Sequence, residues 1–314
     1  MMNNIDFKPE LFEKADKSNQ NADKIHRPSI KYWPDVWRRL KQNKLAMLGL
    51  TLIIVMAIMS FVGTYMSGYA YFEQHLDMTN QKPNSAFWFG SDELGRDMFT
   101  RVWFGARYSL AIGVIAALID FLIGVIYGGV AGMASRRVDS IMMRLAEIIY
   151  SIPYLLVVIL LSVVLQTEGG GSSMFVIILA MSLTGWVPMA ILVRGQVLQL
   201  KETEYSLASE SLGAGKGWIL RKHIIPNTLG PILVNVTLTI PRAIFAEATL
   251  GFLGLGLQAP KSSLGTLAND GLAGLAVGNT YQILIPAILI SLIMFSFNVL
   301  GDGLRDSLDP RLRK

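Results

Sequence analysis

Long apolar runs, separated by short polar segments rich in Lys and Arg, dominate the pattern along this chain. A helix needs about 20 mostly apolar residues to cross the hydrocarbon core of a bilayer. Runs close to that length are Leu45–Met66, Leu110–Val130, Ile148–Leu165, Met174–Val193, Leu229–Phe245 and Ile283–Leu300. The pattern therefore predicts an all-α integral membrane protein with six transmembrane helices.

Shorter patterns predict elements outside the spans. Aromatic and cationic residues alternate at mixed helical spacing in residues 32–44, which is typical of a helix lying along the membrane interface. The polar residues before it are predicted to be disordered. The glycine-rich residues 248–278 predict an outer loop with a short re-entrant or surface helix. Glycines at near four-residue spacing predict close helix packing at Gly124, Gly128, Gly129 and Gly132.

The distribution of Lys and Arg predicts the orientation, because cytoplasmic loops carry an excess of both. With the N-terminus inside, 22 of the 28 basic residues fall on the cytoplasmic side. Reading residues 248–278 as a further span would place Arg305, Arg311, Arg313 and Lys314 outside, against the rule. Both termini are therefore predicted to be cytoplasmic, and residues 194–227 form the largest cytoplasmic loop between spans.

Composition excludes several classes of function. Hydrophobic residues make up 52% of the chain and charged residues 16%, with a mean hydropathy of +0.44, which is too apolar for a soluble domain of this size. The absence of Cys excludes disulfides, thiolate metal sites and cysteine nucleophiles. The net charge of +5 is dispersed among loops, so a nucleic-acid partner is not expected.

Two polar motifs invite a chemical interpretation and favour a structural one. The fragment GAGKG lacks the first glycine and the Ser or Thr of a phosphate-binding loop, so it predicts a turn between two short helices. In GSDELGRD, the carboxylates of Asp92, Glu93 and Asp97 could ligate a hard cation, but a turn that caps a helix starting near Leu94 is the simpler interpretation. No histidine spacing indicates a metal or catalytic site.

Ionisable residues within spans are costly and are functional candidates by default. Asp120, Arg242 and Glu247 fall within or at the end of predicted spans. They could line a translocation path or pair with one another between helices, and the sequence leaves both open. Asp120 and Glu247 are candidates for the path if they face a cavity, where they could meet the charged termini of a peptide.

The stretch SLASESLGAGKGWILRKHIIPN resembles the cytoplasmic coupling motif of bacterial ABC importer permeases, which reads EAA, then Gly, then Ile-x-Leu-Pro. Ala208, Gly213 and Pro226 match that motif. Leu207 replaces the acidic residue and Ser209 an alanine, while His223 and Ile225 are milder changes near the end of the motif. The resemblance implies that a carboxylate is missing at Leu207 unless Glu210, one turn along, substitutes for it.

Other segments resemble the dipeptide, oligopeptide and nickel branch of these permeases. They are RRLKQNKLAMLGL, FGSDELGRDMFTRVWFGARYSL, ATLGFLGLGLQAP and LGDGLRDSLDPRLR, and they extend the resemblance from about residue 38 to the end. The resemblance implies the type I ABC importer permease fold. It divides the chain into residues 1–44, a cytoplasmic tail and interfacial helix; 45–108, the first span and outer loop; 109–301, a five-span core with the coupling loop 194–227; and 302–314, a cytoplasmic tail.

The resemblance also implies a transport subunit with no covalent chemistry and no cofactor of its own. A second permease would complete the path, two cytoplasmic ATPases would bind ATP and Mg²⁺, and an extracellular or periplasmic binding protein would deliver cargo. Oligopeptides are the expected cargo, with dipeptides or nickel as alternatives.

Two functions of other classes stay open. An autonomous secondary transporter would show internal repeats, and none is evident. A membrane-embedded hydrolase would need a nucleophile and a base, and most such designs fail without Cys or a histidine in a span.

Overall fold

The computed structural model describes residues 32–165 and 174–308, and these residues are mostly helical, with no strand among them. The first helices are α1 (Tyr32–Gln42), α2 (Lys44–Val62), α3 (Met98–Met133), α4 (Arg136–Ser151), α5 (Tyr154–Val164), α6 (Met174–Gly185) and α7 (Val187–Leu200). The others are α8 (Glu204–Ser211), α9 (Lys216–Ile219), α10 (Ile225–Phe252), α11 (Leu264–Ala276) and α12 (Tyr281–Leu308). The predicted all-α class is confirmed.

The chain divides into two compact units, residues 1–35 and residues 36–314. Only the first residues of α1 belong to the described part of the first unit, and the segment predicted to be disordered lies outside the described residues. Within the second unit, the Lys41 ammonium lies 5.3 Å from the ring centroid of Trp37 on α1. The predicted helix before the first span is therefore present.

Five helical segments of the described chain are long and apolar enough to cross a membrane. They are Lys44–Tyr65, Met98–Met133, Met174–Leu200, Lys216–Phe252 and Tyr281–Leu308. A sixth crossing exists only if α4 and α5, bent by 75° at their junction, are counted as one span. The third predicted span, Ile148–Leu165, is therefore not one continuous helix. Pro153 cannot donate an amide hydrogen and disfavours helical backbone at Ile152, so the helix breaks there.

Helix ends differ from their predicted positions where polar caps decide them. The Asp97 carboxylate accepts hydrogen bonds from the amides of Phe99 and Thr100, at 3.4 and 3.0 Å, and starts α3 at Met98. The prediction of a helix start near Leu94 was wrong, and the proposed boundary between residues 108 and 109 falls inside α3. Similarly, α12 continues to Leu308 into the predicted C-terminal tail, whose last residues lie outside the described part.

The segment of residues 66–97 is held against the first turn of α12 by polar contacts, most of them partly or fully buried. The Tyr281 hydroxyl lies 2.8 and 2.9 Å from the carbonyl oxygens of Gln81 and Ser91, which share its one hydrogen. The Gln282 amide donates to Asn80 Oδ1 and to the Ser91 carbonyl, both at 2.9 Å. These bonds fix the segment without a helix or a strand of its own.

An ionic cluster ties this segment to α3 and α11. The Asp92 carboxylate accepts hydrogen bonds from the amides of Leu94 and Arg96, each at 2.9 Å, and forms the predicted turn. It also pairs with the guanidinium groups of Arg96 and Arg101. Arg101 reaches Asp270 on α11 at 3.0 Å. Two carboxylates and two guanidinium groups therefore neutralise one another in this cluster.

Helix α3 approaches α7 closely along a row of glycines. A Cβ atom at Gly124 would lie 2.5 Å from Met189 Cβ, and one at Gly132 would lie 2.7 Å from Val197 Cβ. A Cβ atom at Gly128 would clash with the carbonyl group of Ala190. The close packing predicted from these glycines is confirmed, and only residues without a side chain permit it.

Replacing Gly128 by Ala is expected to lower the free energy of unfolding by about 1–3 kcal/mol, because the added methyl group must push α3 and α7 apart. Gly195 on α7 is the matched control, since a Cβ atom there would meet nothing within 4 Å. Gly195→Ala is expected to leave stability unchanged or raise it by up to about 1 kcal/mol. Thermal unfolding of both variants in mild detergent measures the difference, and equal midpoints would contradict this account of the packing.

Candidate functional site

The coupling segment, residues 201–227, is two short helices broken by a glycine-containing turn, as predicted. Helix α8 ends at Ser211, where the amide of Gly213 donates to the carbonyl of Glu210 at 2.9 Å. Gly213 has φ +87°, a left-handed conformation that a residue with a Cβ atom adopts only at a cost. The glycine therefore allows the sharp reversal that leads from α8 into α9.

Two isoleucines anchor the coupling segment in the helix bundle. Ile219 at the end of α9 and Ile224 in the π-helical turn before α10 are fully or almost fully buried. They pack with Val193 and Val197 of α7 and with Ile232 of α10. Because this cluster is continuous, a displacement of the coupling segment must move α7 and α10 with it or break apolar contacts.

Other apolar side chains of the coupling segment are exposed. Leu207 on α8 is 49% exposed, Leu212 after α8 is 89% exposed and Trp218 on α9 is 51% exposed. Ala208, Glu210 and Gly213 are also exposed. Apolar side chains grouped on one surface segment are typical of a protein interaction site.

The structure brings most of the predicted coupling residues together. Ser209 on α8 lies 3.3 Å from His223 Nε2, so the two halves of the segment touch. The His223 ring also makes an edge contact with Trp218, with 5.0 Å between ring centroids. Pro226 lies at the start of α10, directly after the π-helical turn of residues 220–224, in which the Ile225 amide donates to the Leu220 carbonyl.

Leu207 and Glu210 lie one turn apart on the same face of α8. Both line a cavity of about 230 Å³ together with Lys201 and Lys216. The Lys201 ammonium donates to the carbonyl of Gly132 at the end of α3, at 3.3 Å. Glu210 therefore lies beside Leu207, which replaces the acidic residue of the motif, and on the same cavity as Lys201 and Lys216.

A bidentate ion pair, which no local sequence pattern predicts, joins α7 to α4. Arg194 donates through Nε to Asp139 Oδ1 at 2.5 Å and through Nη2 to Asp139 Oδ2 at 2.6 Å. The two residues lie 55 positions apart. The only signal in the sequence was Arg194 at the end of an apolar run, and that position does not indicate which carboxylate pairs with it.

The two candidate path residues occupy different environments. Asp120 lines a cavity of about 210 Å³ between α3, the helices α4 to α7, and α10. Glu247 is fully buried against α3, where Ser109 Oγ donates to its Oε2 at 2.7 Å, and it does not line that cavity. Among the described residues, neither carboxylate forms an ion pair with Arg242. The pairing alternative is therefore not observed here.

Further polar residues line this cavity, and the sequence pattern did not single them out. They are Tyr154, which begins α5, and Asn235 and Thr239 on α10. Asn235 and Thr239 precede Arg242, which was a candidate from the sequence, by seven and three residues and share its helix face. That spacing within an apolar run was a usable signal.

Comparison with known proteins identifies the family. Residues 124–314 match the family described as Binding-protein-dependent transport system inner membrane component. The chain belongs to this family of inner-membrane permeases. Residues 31–83 of the permease also match the N-terminal TM domain of oligopeptide transport permease C. The prediction from the coupling motif is thereby confirmed.

Similar curated proteins align with almost the whole permease. The Dipeptide transport system permease protein DppC of Bacillus subtilis is 54% identical over 97% of this chain and 94% of its own length. The Oligopeptide transport system permease protein OppC of the same organism is 50% identical over 97% of this chain and 98% of its own. The OppC protein of Escherichia coli K12 is 37% identical, with 96% and 99% coverage.

The fold also resembles a solved structure. A chain of the MetNI methionine ABC transporter, in an inward-facing conformation, superposes with a TM-score of 0.53 at 20% identity. The similarity covers 65% of the permease and 94% of that chain. This likeness confirms the type I ABC importer permease fold. The permease is a multi-pass protein of the bacterial inner membrane, and its family and relatives are permease components of transport systems.

Replacing Arg194 by Lys is expected to destabilise the permease by about 2 kcal/mol, because an ammonium group cannot make both hydrogen bonds to Asp139. Arg144 is the control, since its pair with Glu147 joins side chains that are 77% and 59% exposed. Arg144→Lys is expected to cost less than about 0.5 kcal/mol. Thermal unfolding in detergent compares the two, and equal losses would show that the α4–α7 pair is not a structural brace.

Proposed function

We propose that this permease imports peptides and that its coupling segment docks onto cytoplasmic ATPases. The observation that carries the proposal is the two-sided construction of the segment: Leu207, Leu212 and Trp218 are exposed, while Ile219 and Ile224 are buried among α7 and α10. Such a segment can bind a partner on one side and transmit its movement to the membrane helices on the other.

The proposed orientation places the coupling segment and both termini in the cytoplasm, as the distribution of basic residues predicts. Two ATPases would bind ATP and Mg²⁺ there, and a second permease would complete the translocation path. A binding protein on the outer side would deliver cargo near residues 66–97 and the segment around α11. This chain supplies no nucleotide site in that arrangement.

Oligopeptides are the proposed cargo and dipeptides the second candidate. Relatives named for each align over nearly the whole chain, at 50% and 54% identity, so the permease sequence separates the two poorly. We assign the discrimination chiefly to the binding protein. Nickel is less favoured, because the described residues contain no group of three His, Cys, Asp or Glu that could hold a metal ion.

The proposed coupling works through differential contact energy. A partner that binds α8 more tightly in its ATP-closed state shifts the permease towards the conformation in which α8 sits in that partner's cleft. Glu210 supplies the carboxylate that the motif would have at Leu207, since Glu210 and Leu207 lie on one face of α8 beside Lys201 and Lys216. The apolar cluster around Ile219 then carries the movement to α7 and α10.

The first test is purification of the tagged chain from its native membrane in mild detergent, with an ATP analogue present. A second multi-span permease and two ATPases are expected at near-equal stoichiometry. Mass spectrometry identifies them, together with any binding protein and its cargo. Recovery of the chain alone from several detergents would instead support an autonomous transporter.

The second test replaces Gly213 by Val in the assembled transporter. The left-handed backbone at Gly213 disfavours a β-branched residue by about 1–2 kcal/mol, so α8 is expected to lose its position and ATP-driven uptake to fall about tenfold. Gly215→Ala is the matched control, because Gly215 has φ −71° and no neighbour within 4 Å of an added Cβ atom. Membrane insertion should be normal in both. Normal uptake by Gly213→Val would refute this role for α8.

A further inference from the structure

The cavity at Asp120 has the composition of a binding site for a zwitterion. Its polar lining combines one buried carboxylate, one exposed guanidinium group and several neutral hydrogen-bonding groups. These are Asp120, Tyr154, Thr184, Asn235, Thr239 and Arg242. Apolar residues of α6, α7 and α10 fill the remaining wall, which is the usual construction of a small-ligand site.

Asp120 can accept hydrogen bonds that the described residues do not supply. Asp120 is only 6% exposed. Within residues 32–165 and 174–308, its Oδ1 atom has no hydrogen-bond partner. The hydroxyl of Tyr154, on the same cavity, also lacks a partner there. A buried carboxylate without donors is costly, so a guest that carries N–H groups would stabilise it.

The position of the Asp120 carboxylate is fixed by its surroundings. A Cβ atom on Gly185 would clash with the carboxylate oxygens, so the α6 backbone lies directly against them. On the neighbouring face, α3 is held to α7 through Gly124, one turn further along. The carboxylate therefore belongs to a rigid part of the bundle and cannot turn away to solvent without disturbing this packing.

The chemistry of the lining selects among possible guests. A bare metal ion would find only one carboxylate and no cluster of ligands in the described residues. Arg242 on the same cavity disfavours a guest with positive charge alone and attracts one that also carries a carboxylate. A peptide has both groups. The volume of about 210 Å³ is smaller than that of sites enclosing a whole ligand, so the cavity admits one end of a peptide chain.

A second cavity lies further along α10. It measures about 380 Å³ and is lined by Leu192, Pro231, Val234, Asn235 and Leu238, with Arg305 of α12. Asn235 belongs to both cavities, and the lining residues of each follow one face of α10. The two cavities therefore follow one another along the same helix.

We propose that the cavity is a relay site on the translocation path, in which the Asp120 carboxylate accepts hydrogen bonds from the α-ammonium group of the passing peptide. The proposal rests on the proposed function of peptide import. Tyr154 and Asn235 complete the polar surroundings, and Arg242 provides the opposite charge. Glu247, which lines neither cavity, takes no part.

The experiment uses the complete importer, with its second permease, ATPases and binding protein, in proteoliposomes. Initial uptake of labelled tetraalanine is measured against the concentration of loaded binding protein. Asp120→Asn keeps the shape and removes the charge, so kcat is expected to fall at least about tenfold while KM changes less than about twofold, because docking occurs elsewhere. Asp120→Glu is expected to recover part of kcat. Glu147→Gln, at a position 59% exposed on α4, controls for loss of a carboxylate.

Three outcomes would overturn the proposal: wild-type kcat in Asp120→Asn, an Asp120→Glu variant as inactive as Asp120→Asn, or a loss confined to KM. Failure of the Asp120→Asn complex to assemble, judged by its thermal midpoint and subunit stoichiometry, would assign Asp120 a structural role and overturn it as well. If the wild-type importer shows no ATP-dependent uptake of either tetraalanine or dialanine, the proposed function itself fails, which is distinguishable from every result above.

Discussion

The close approach of α3 and α7 is the constraint on which the rest of this permease depends. Three glycines on α3 let the two backbones meet where any side chain would separate them. Apolar helices gain little from the hydrophobic effect in a lipid environment, so association relies on such packing and on polar bridges. With α7 fixed against α3, the chain leaves the bundle at a defined point and enters α8.

The contact between α3 and α7 positions two functional regions. The coupling segment is anchored through Ile219 and Ile224 to the same part of α7 that faces the α3 glycines. The cavity at Asp120 lies one turn before Gly124 on α3. Helix α10 joins the two, since it starts at the π-helical turn of the coupling segment and carries Asn235 and Arg242 into the cavity. A movement of the coupling segment therefore reaches the cavity through packed helices.

Away from the coupling segment, polar contacts hold the helices and the segment of residues 66–97 together. The segment of residues 66–97 has no regular structure, yet Asp92 and Arg101 connect it to α3, and its backbone carbonyls accept hydrogen bonds from Tyr281 and Gln282 on α12. Arg194 and Asp139 hold α4 to α7 in the same way. Because each of these groups is partly or fully buried, an unpaired member would be costly, so the pairs fix the relative positions of their helices.

The sequence by itself determined the helical class, the approximate spans, the glycine row on α3 and the motif of the coupling segment, because each rests on local spacing of apolar residues or glycines. Local spacing did not predict that the chain bends by 75° at Pro153. It also did not predict that α3 starts at Met98, where the Asp97 side chain caps the helix. Only the tertiary structure showed that Arg194 pairs with Asp139, and that Asp120 faces a cavity whereas Glu247 does not. Those outcomes depend on which helices meet across long separations, and no local pattern carries that information.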